Sequence, residues 1–236
     1  MITRVAVVPY PPLLVPALTV QADEETELVR SACSRAVSSL TDSAAEWVAV
    51  GVHRSGPVAL GPSTSGTFAG FGVDVRVNLG GEPTAEPDPL LPLPALIAGW
   101  LREQAGARSV TVHLLDPDTP VAECRDLGAR LAAEPVGLLV LADGTNRVDE
   151  CSPYPPDARA GALDERLRTA LGEADAAALR DLDPQLCAEL GVAGRAALQV
   201  IPGVVEATSG TWRSELLYSA TPFGVTYHAA VWTRTP

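Results

Sequence analysis

Residues 5–16 read Val-Ala-Val-Val-Pro-Tyr-Pro-Pro-Leu-Leu-Val-Pro. This order leaves the chain little freedom. A β-branched apolar run suits a covered, pleated strand. Pro9, Pro11, Pro12 and Pro16 then end any ladder or helix and stiffen the loop beyond the run. The stretch predicts a buried first strand whose C-terminal end carries a rigid loop presenting Tyr10. In open α/β sheets, ligands bind beyond the carboxyl ends of the strands.

The layout recurs. Glu46 to Val52 is a second apolar run and ends at His53-Arg54-Ser55-Gly56. Val136 to Ala142 is the clearest buried strand and ends at Asp143-Gly144-Thr145-Asn146-Arg147. Ser109 to Leu115 is a further core strand with His113 inside it, read as a core histidine. Helical patterns lie between these runs. One opens at Asp23-Glu24-Glu25, with Leu28, Cys33, Ala36, Val37 and Leu40 near a 3.6-residue period. Others span about 94–104 and 121–133. The strand–helix–strand spacing fits right-handed crossovers in a parallel sheet.

Residues 56–72 are rich in Gly, Ser, Thr and Pro. They read as a surface loop, or as a cover over the cleft with Phe68 and Phe71 as its apolar wall. The run 73–79 alternates like a half-exposed strand, and 80–94 reads as a Gly/Pro/acidic loop. From about 156 to 205 the chain is mostly helical, with Leu163, Leu167, Ala170, Leu171, Leu179 and Leu182 as its apolar stripe. Asp183-Pro184 looks like an N-cap and first-turn proline. Residues 214–231 read as a closing hairpin around Thr221-Pro222-Phe223-Gly224. The expected fold is one three-layer αβα domain over 1–236. Its central sheet is mixed and mainly parallel, and a C-terminal antiparallel hairpin closes it.

Composition limits the partners. A net charge of −12 argues against nucleic acid and anionic membrane, which need clustered cations. All 17 basic residues are Arg. Cys33, Cys124, Cys151 and Cys187 form no CxxC pair and read as small buried hydrophobes. Prolines interrupt the apolar N-terminus, unlike a signal peptide. No apolar run nears the roughly 20 residues of a membrane span. The cytoplasm is the expected location.

Three segments carry a family resemblance: Pro11-Pro12-Leu13-Leu14-Val15-Pro16, the Gly-Arg-Ala beginning at Gly194, and Pro222-Phe223-Gly224-Val225-Thr226-Tyr227. Together the chain resembles the class III extradiol ring-cleavage dioxygenase superfamily (LigB-type, Memo-like). It most resembles the uncharacterised bacterial LigB-like members of that superfamily. The resemblance implies an iron site of two His and one carboxylate, with a further His as acid/base. Carried onto this chain, the first ligand position falls on Tyr10 and the second at or beside His53. The acid/base His falls near Asn146, and the third ligand near Ala193, just before Arg195. Asn does not titrate and Ala has no donor atom. No metal is therefore expected, with Tyr10 and His53 the sole candidate ligands and Fe2+ the alternative cofactor. Glu206, Glu215 and His228 offer substitute ligands only by moving into the cleft.

The expected site gathers Tyr10, His53, Arg54, Asp143, Asn146, Arg147 and Arg195. It suits a small aromatic or carboxylate ligand, since Arg forks match carboxylates. Three readings stay open: a catalytically degenerate binding homologue, a divergent Fe(II) extradiol dioxygenase, and a subunit working as a homodimer or beside another chain.

Overall fold

The structure is a computed structural model and describes residues 1–21, 23–81 and 86–235. The first half runs β1 (Arg4–Val8), α1 (Glu24–Ser43), β2 (Glu46–Val52), β3 (Val58–Leu60), β4 (Ser65–Thr67), β5 (Arg76–Asn78), α2 (Leu93–Ala105) and β6 (Ser109–Leu115). The second half runs α3 (Val121–Leu131), β7 (Gly137–Leu141), α4 (Ala160–Glu173), α5 (Ala176–Arg180), α6 (Pro184–Leu190), α7 (Arg195–Leu198), α8 (Ile201–Ala207), β8 (Thr211–Ala220) and β9 (Tyr227–Thr235).

Seven strands form the central sheet in the order β3-β6-β2-β7-β1-β9-β8. The four inner strands β6, β2, β7 and β1 are parallel. The outer strands β3, β9 and β8 are antiparallel to their neighbours. The parallel strands are covered on both faces, so they read as unbroken apolar runs rather than alternating ones. Alternation still decides which helix layer each residue meets. Ala6, Val8, Ala49, Leu139, Leu141, Val112 and Val231 pack toward α1 and α2. Val5, Val7, Val48, Val50, Leu138, Val140 and Trp232 pack toward α3–α8. This is the three-layer αβα arrangement with a mixed sheet and closing hairpin that the strand–helix alternation predicts.

Several local expectations are corrected. In α1 the buried stripe is Val29, Ala32, Cys33, Ala36, Val37 and Leu40, while Leu28 is exposed, one position off the packed face. Asp23 caps this helix by accepting from the Thr26 N–H at 2.8 Å. Cys151 is exposed, unlike the other three cysteines. The expected strand over 73–79 shrinks to β5, which pairs with β4 in a separate two-stranded ribbon.

That ribbon also overturns the reading of 61–72 as a cover. Phe68 is fully buried in the α1/α2-side core, and Phe71 is exposed. None of these residues lines either of the two cavities described below. Phe68 anchors the segment in the α1/α2-side core, on the face of the sheet opposite the arginine-lined cavity. Residues 82–85 of the expected Gly/Pro/acidic loop lie outside the described residues.

Candidate functional site

β1, β2 and β7 are adjacent parallel strands, so their C-terminal ends share one edge of the sheet. Tyr10, His53 and Asn146 lie just past those ends and reach that edge together. They do not form one site. The edge has two faces, and six of the seven candidate residues divide between them.

On the α3–α8 side, Arg54, Asn146, Arg147 and Arg195 line a cavity of about 670 Å³. Arg195 is buried. Its guanidinium donates to Thr119 O at 2.7 Å, to Gln199 Oε1 at 3.0 Å and to Pro117 O. These bonds use three of the five N–H donors an Arg carries. They also anchor the loop between β6 and α3. Arg147 is half-buried, lies 5.1 Å from the Tyr154 ring centre and donates to Pro155 O at 3.3 Å. Arg54 is exposed. None of the three forms an ion pair among the described residues. Asp116 and Asp118 also line the cavity, so cations exceed anions there by one.

The Asn146 amide completes this wall. Its Oδ1 is buried without a partner, an unspent hydrogen-bonding group in the cavity wall. It lies against Gly191, which ends α6 in the left-handed region with φ 79°. A Cβ at 191 would run into the Asn146 amide. α6 is placed by local signals: Asp183 accepts from the Leu186 N–H at 2.9 Å, and Pro184 opens the first turn. Gly194 approaches Ala142 so closely that α7 seats directly on the end of β7.

On the α1 side, the Tyr10 N–H donates to Asp143 Oδ1 at 3.1 Å. Burial pushes the Asp143 carboxyl up to about 7, and the Tyr10 bond opposes that shift. Burial, and then the nearby Asp143 charge, pushes the Tyr10 phenol upward. The intervening residues are pinned from below. Asp164, buried in α4, accepts from Thr145 N at 2.9 Å, Thr145 Oγ1 at 2.6 Å and Thr226 Oγ1 at 2.7 Å. The Gly144 N–H donates to Thr226 O at 2.7 Å. The turn of the closing hairpin is thereby fixed to the end of β7.

His53 joins neither group. It is exposed, and its Nδ1 faces Ser55 Oγ at 2.8 Å and accepts from Ser55 N at 3.2 Å. His113 is half-buried rather than a core residue. It borders a second cavity of about 600 Å³ between β6 and α3, beside Asp116, Glu123 and Asp126. His228 is buried with Nδ1 3.0 Å from Ser219 Oγ, and burial pulls its pKa down to about 4. Glu206 pairs with Arg125 and Arg180, and Glu215 with Arg35. The donor set does not fit a two-His, one-carboxylate iron centre. Its imidazoles lie in three separate places, and among the described residues no three His, Cys, Asp or Glu are grouped to hold a metal.

Sequence reasoning missed Tyr154, Gly191 and Tyr227. Tyr227 had a readable signal, since it opens the last strand of the hairpin. Tyr154 had none, because it sits in the irregular stretch before α4.

No protein-family model and no curated protein matches this chain. Among solved structures, the chain is similar to the uncharacterised protein JW3007 of Escherichia coli K12. The TM-score is 0.54 at 15% identity, covering 98% of this chain and 99% of the other. At that identity the likeness speaks to the fold. No helix among the described residues is long and apolar enough to cross a membrane.

Proposed function

We propose that this chain is a cytoplasmic binding protein on a LigB-type fold that takes a small carboxylate or aromatic acid and does not cleave catechol rings. One observation carries the reading. Arg54, Arg147 and Arg195 line one cavity and form no ion pair among the described residues, in a chain whose net charge is −12. A ligand carboxylate supplies the missing acceptor, since charge-assisted Arg–carboxylate bonds are the stronger class. Tyr154 offers a ring face beside Arg147, and the Asn146 amide offers a neutral hydrogen bond. Ring cleavage through iron is not supported, because Tyr10, Asn146 and Ala193 stand where the resemblance would need a ligand, an acid/base and a ligand.

Calorimetric titration with benzoate tests this. Arg54→Gln and Arg147→Gln should each weaken binding about tenfold, a loss of ~1.4 kcal/mol typical of a partly exposed charged hydrogen bond. Unchanged affinity in the double variant would remove the cavity from consideration. Oxygen uptake with catechol after anaerobic Fe(II) loading, together with stoichiometric iron lost on His53→Ala, would restore the dioxygenase reading.

A further inference from the structure

We infer that the α1 side of the sheet edge holds a second small-molecule site, built by Asp143, Tyr10 and Tyr227, that takes a primary ammonium group. Strand register places the three side chains. β1 runs parallel to β7 with Val8 beside Leu141. Two residues further on, Tyr10 stands beside Asp143, as their 3.1 Å hydrogen bond shows. β1 runs antiparallel to β9 with Val7 opposite Ala230. Extending that register by three residues brings Tyr10 level with Tyr227. Val8, Leu141 and Tyr227 all belong to the α1/α2-side core. Tyr10 itself packs on that core, and its hydrogen bond holds the Asp143 carboxyl beside it. Three neighbouring strand ends thus set a tyrosine, a tyrosine and a carboxylate abreast.

The chemistry of this row is incomplete without a cation. Asp143 is half-buried and accepts one bond, from a backbone N–H. It has no ion-pair partner among the described residues. Arg30 is committed to Leu13 O, Thr19 Oγ1 and Glu27, and Arg35 to Glu215. A buried carboxylate without a counter-charge is costly. Asp143 Oδ2, Tyr10 Oη and Tyr227 Oη have no hydrogen-bonding partner among the described residues, and none is sealed away from solvent. A primary ammonium has three N–H donors, which can pair with the Asp143 carboxylate and use the neighbouring tyrosine hydroxyls as further acceptors. At the rim, Tyr218 Oη donates to Glu25 at 3.2 Å, which adds a further negative charge. Leu13, Phe223 and Val225 pack half-buried on the same apolar cluster and suit a short alkyl chain. The arginine-lined cavity opens on the other face of the sheet, so the two sites differ in place and in charge preference.

The test is calorimetric titration of the purified full chain with n-butylammonium chloride, using 1-butanol as the uncharged isostere. Wild type should bind the ammonium saturably and leave the alcohol unbound. Asp143→Asn should weaken the ammonium at least tenfold and leave benzoate binding unchanged, which separates this site from the arginine cavity. The Tyr10→Phe/Tyr227→Phe double variant should weaken the ammonium several-fold with the charge retained, and it decides the matter if Asp143→Asn does not fold. No ammonium binding by wild type up to roughly 50 mM, above the weak millimolar range, overturns the site. So does an affinity that neither Asp143→Asn nor the tyrosine double variant changes.

Discussion

Replacing Asp143 with Asn should stabilise the protein, increasingly so as the pH rises from about 4 to about 7. The side chain is isosteric and keeps an acceptor for the Tyr10 N–H. The substitution removes only the charge. In the fold the Asp143 carboxyl titrates near 7, against about 3.9 in an unfolded chain. Between those values the native state holds a proton that the unfolded state has lost, so wild-type stability falls as pH rises from about 4 to about 7. Below about pH 4 both states are protonated and the penalty vanishes. Above about pH 7 it is complete and flat. At ~1.4 kcal/mol per pH unit, this window gives an upper bound of ~4 kcal/mol, and partial solvent contact brings it to about 2–4 kcal/mol. The groups facing Asp143 are Tyr10, Cys33 and Tyr227, whose own pKa values are pushed upward by burial. They stay neutral throughout this window. Urea unfolding of wild type and Asp143→Asn at pH 4.5 and pH 8 reads the effect. With a slope of about 2–3 kcal/mol per molar urea, the midpoints should separate by roughly 1 M at pH 8 and by only about a quarter of that at pH 4.5. A variant less stable than wild type at pH 8, or a gap that does not change with pH, would refute the burial argument.

Two further outcomes concern the cavity wall. Arg195→Met should destabilise by about 2–4 kcal/mol in thermal or urea unfolding, because Thr119 O, Pro117 O and Gln199 Oε1 lose their donor in the interior; Arg195→Lys should recover only part, lacking the planar fork. Gly191→Ala should cost about 1–3 kcal/mol and weaken benzoate binding, since φ is 79° and the new Cβ meets the Asn146 amide.

The amino-acid sequence by itself determined the strand ends. Apolar β-branched runs stop at Pro9, His53 and Asp143 because proline and polar groups cannot continue a buried ladder. Parallel pairing then has to bring the residues after them to one edge. The Asp183-Pro184 start of α6 was equally legible, since a cap is a local hydrogen bond within four residues. The cover expected over 61–72 was misread because composition says that a segment is irregular, not what it packs against. Only the tertiary structure decided which face each edge residue serves. Side chains along a strand alternate, so a candidate's face depends on strand ends and pairing register. Just past their strand ends, Tyr10 packs on the α1-side core with Tyr227, and its N–H holds Asp143 there. Past the strand end, where alternation no longer applies, Asn146 turns to the far side because its N–H donates to Leu190 O at the end of α6. Contacts 44 residues apart fix that choice, and no local pattern in the sequence encodes them.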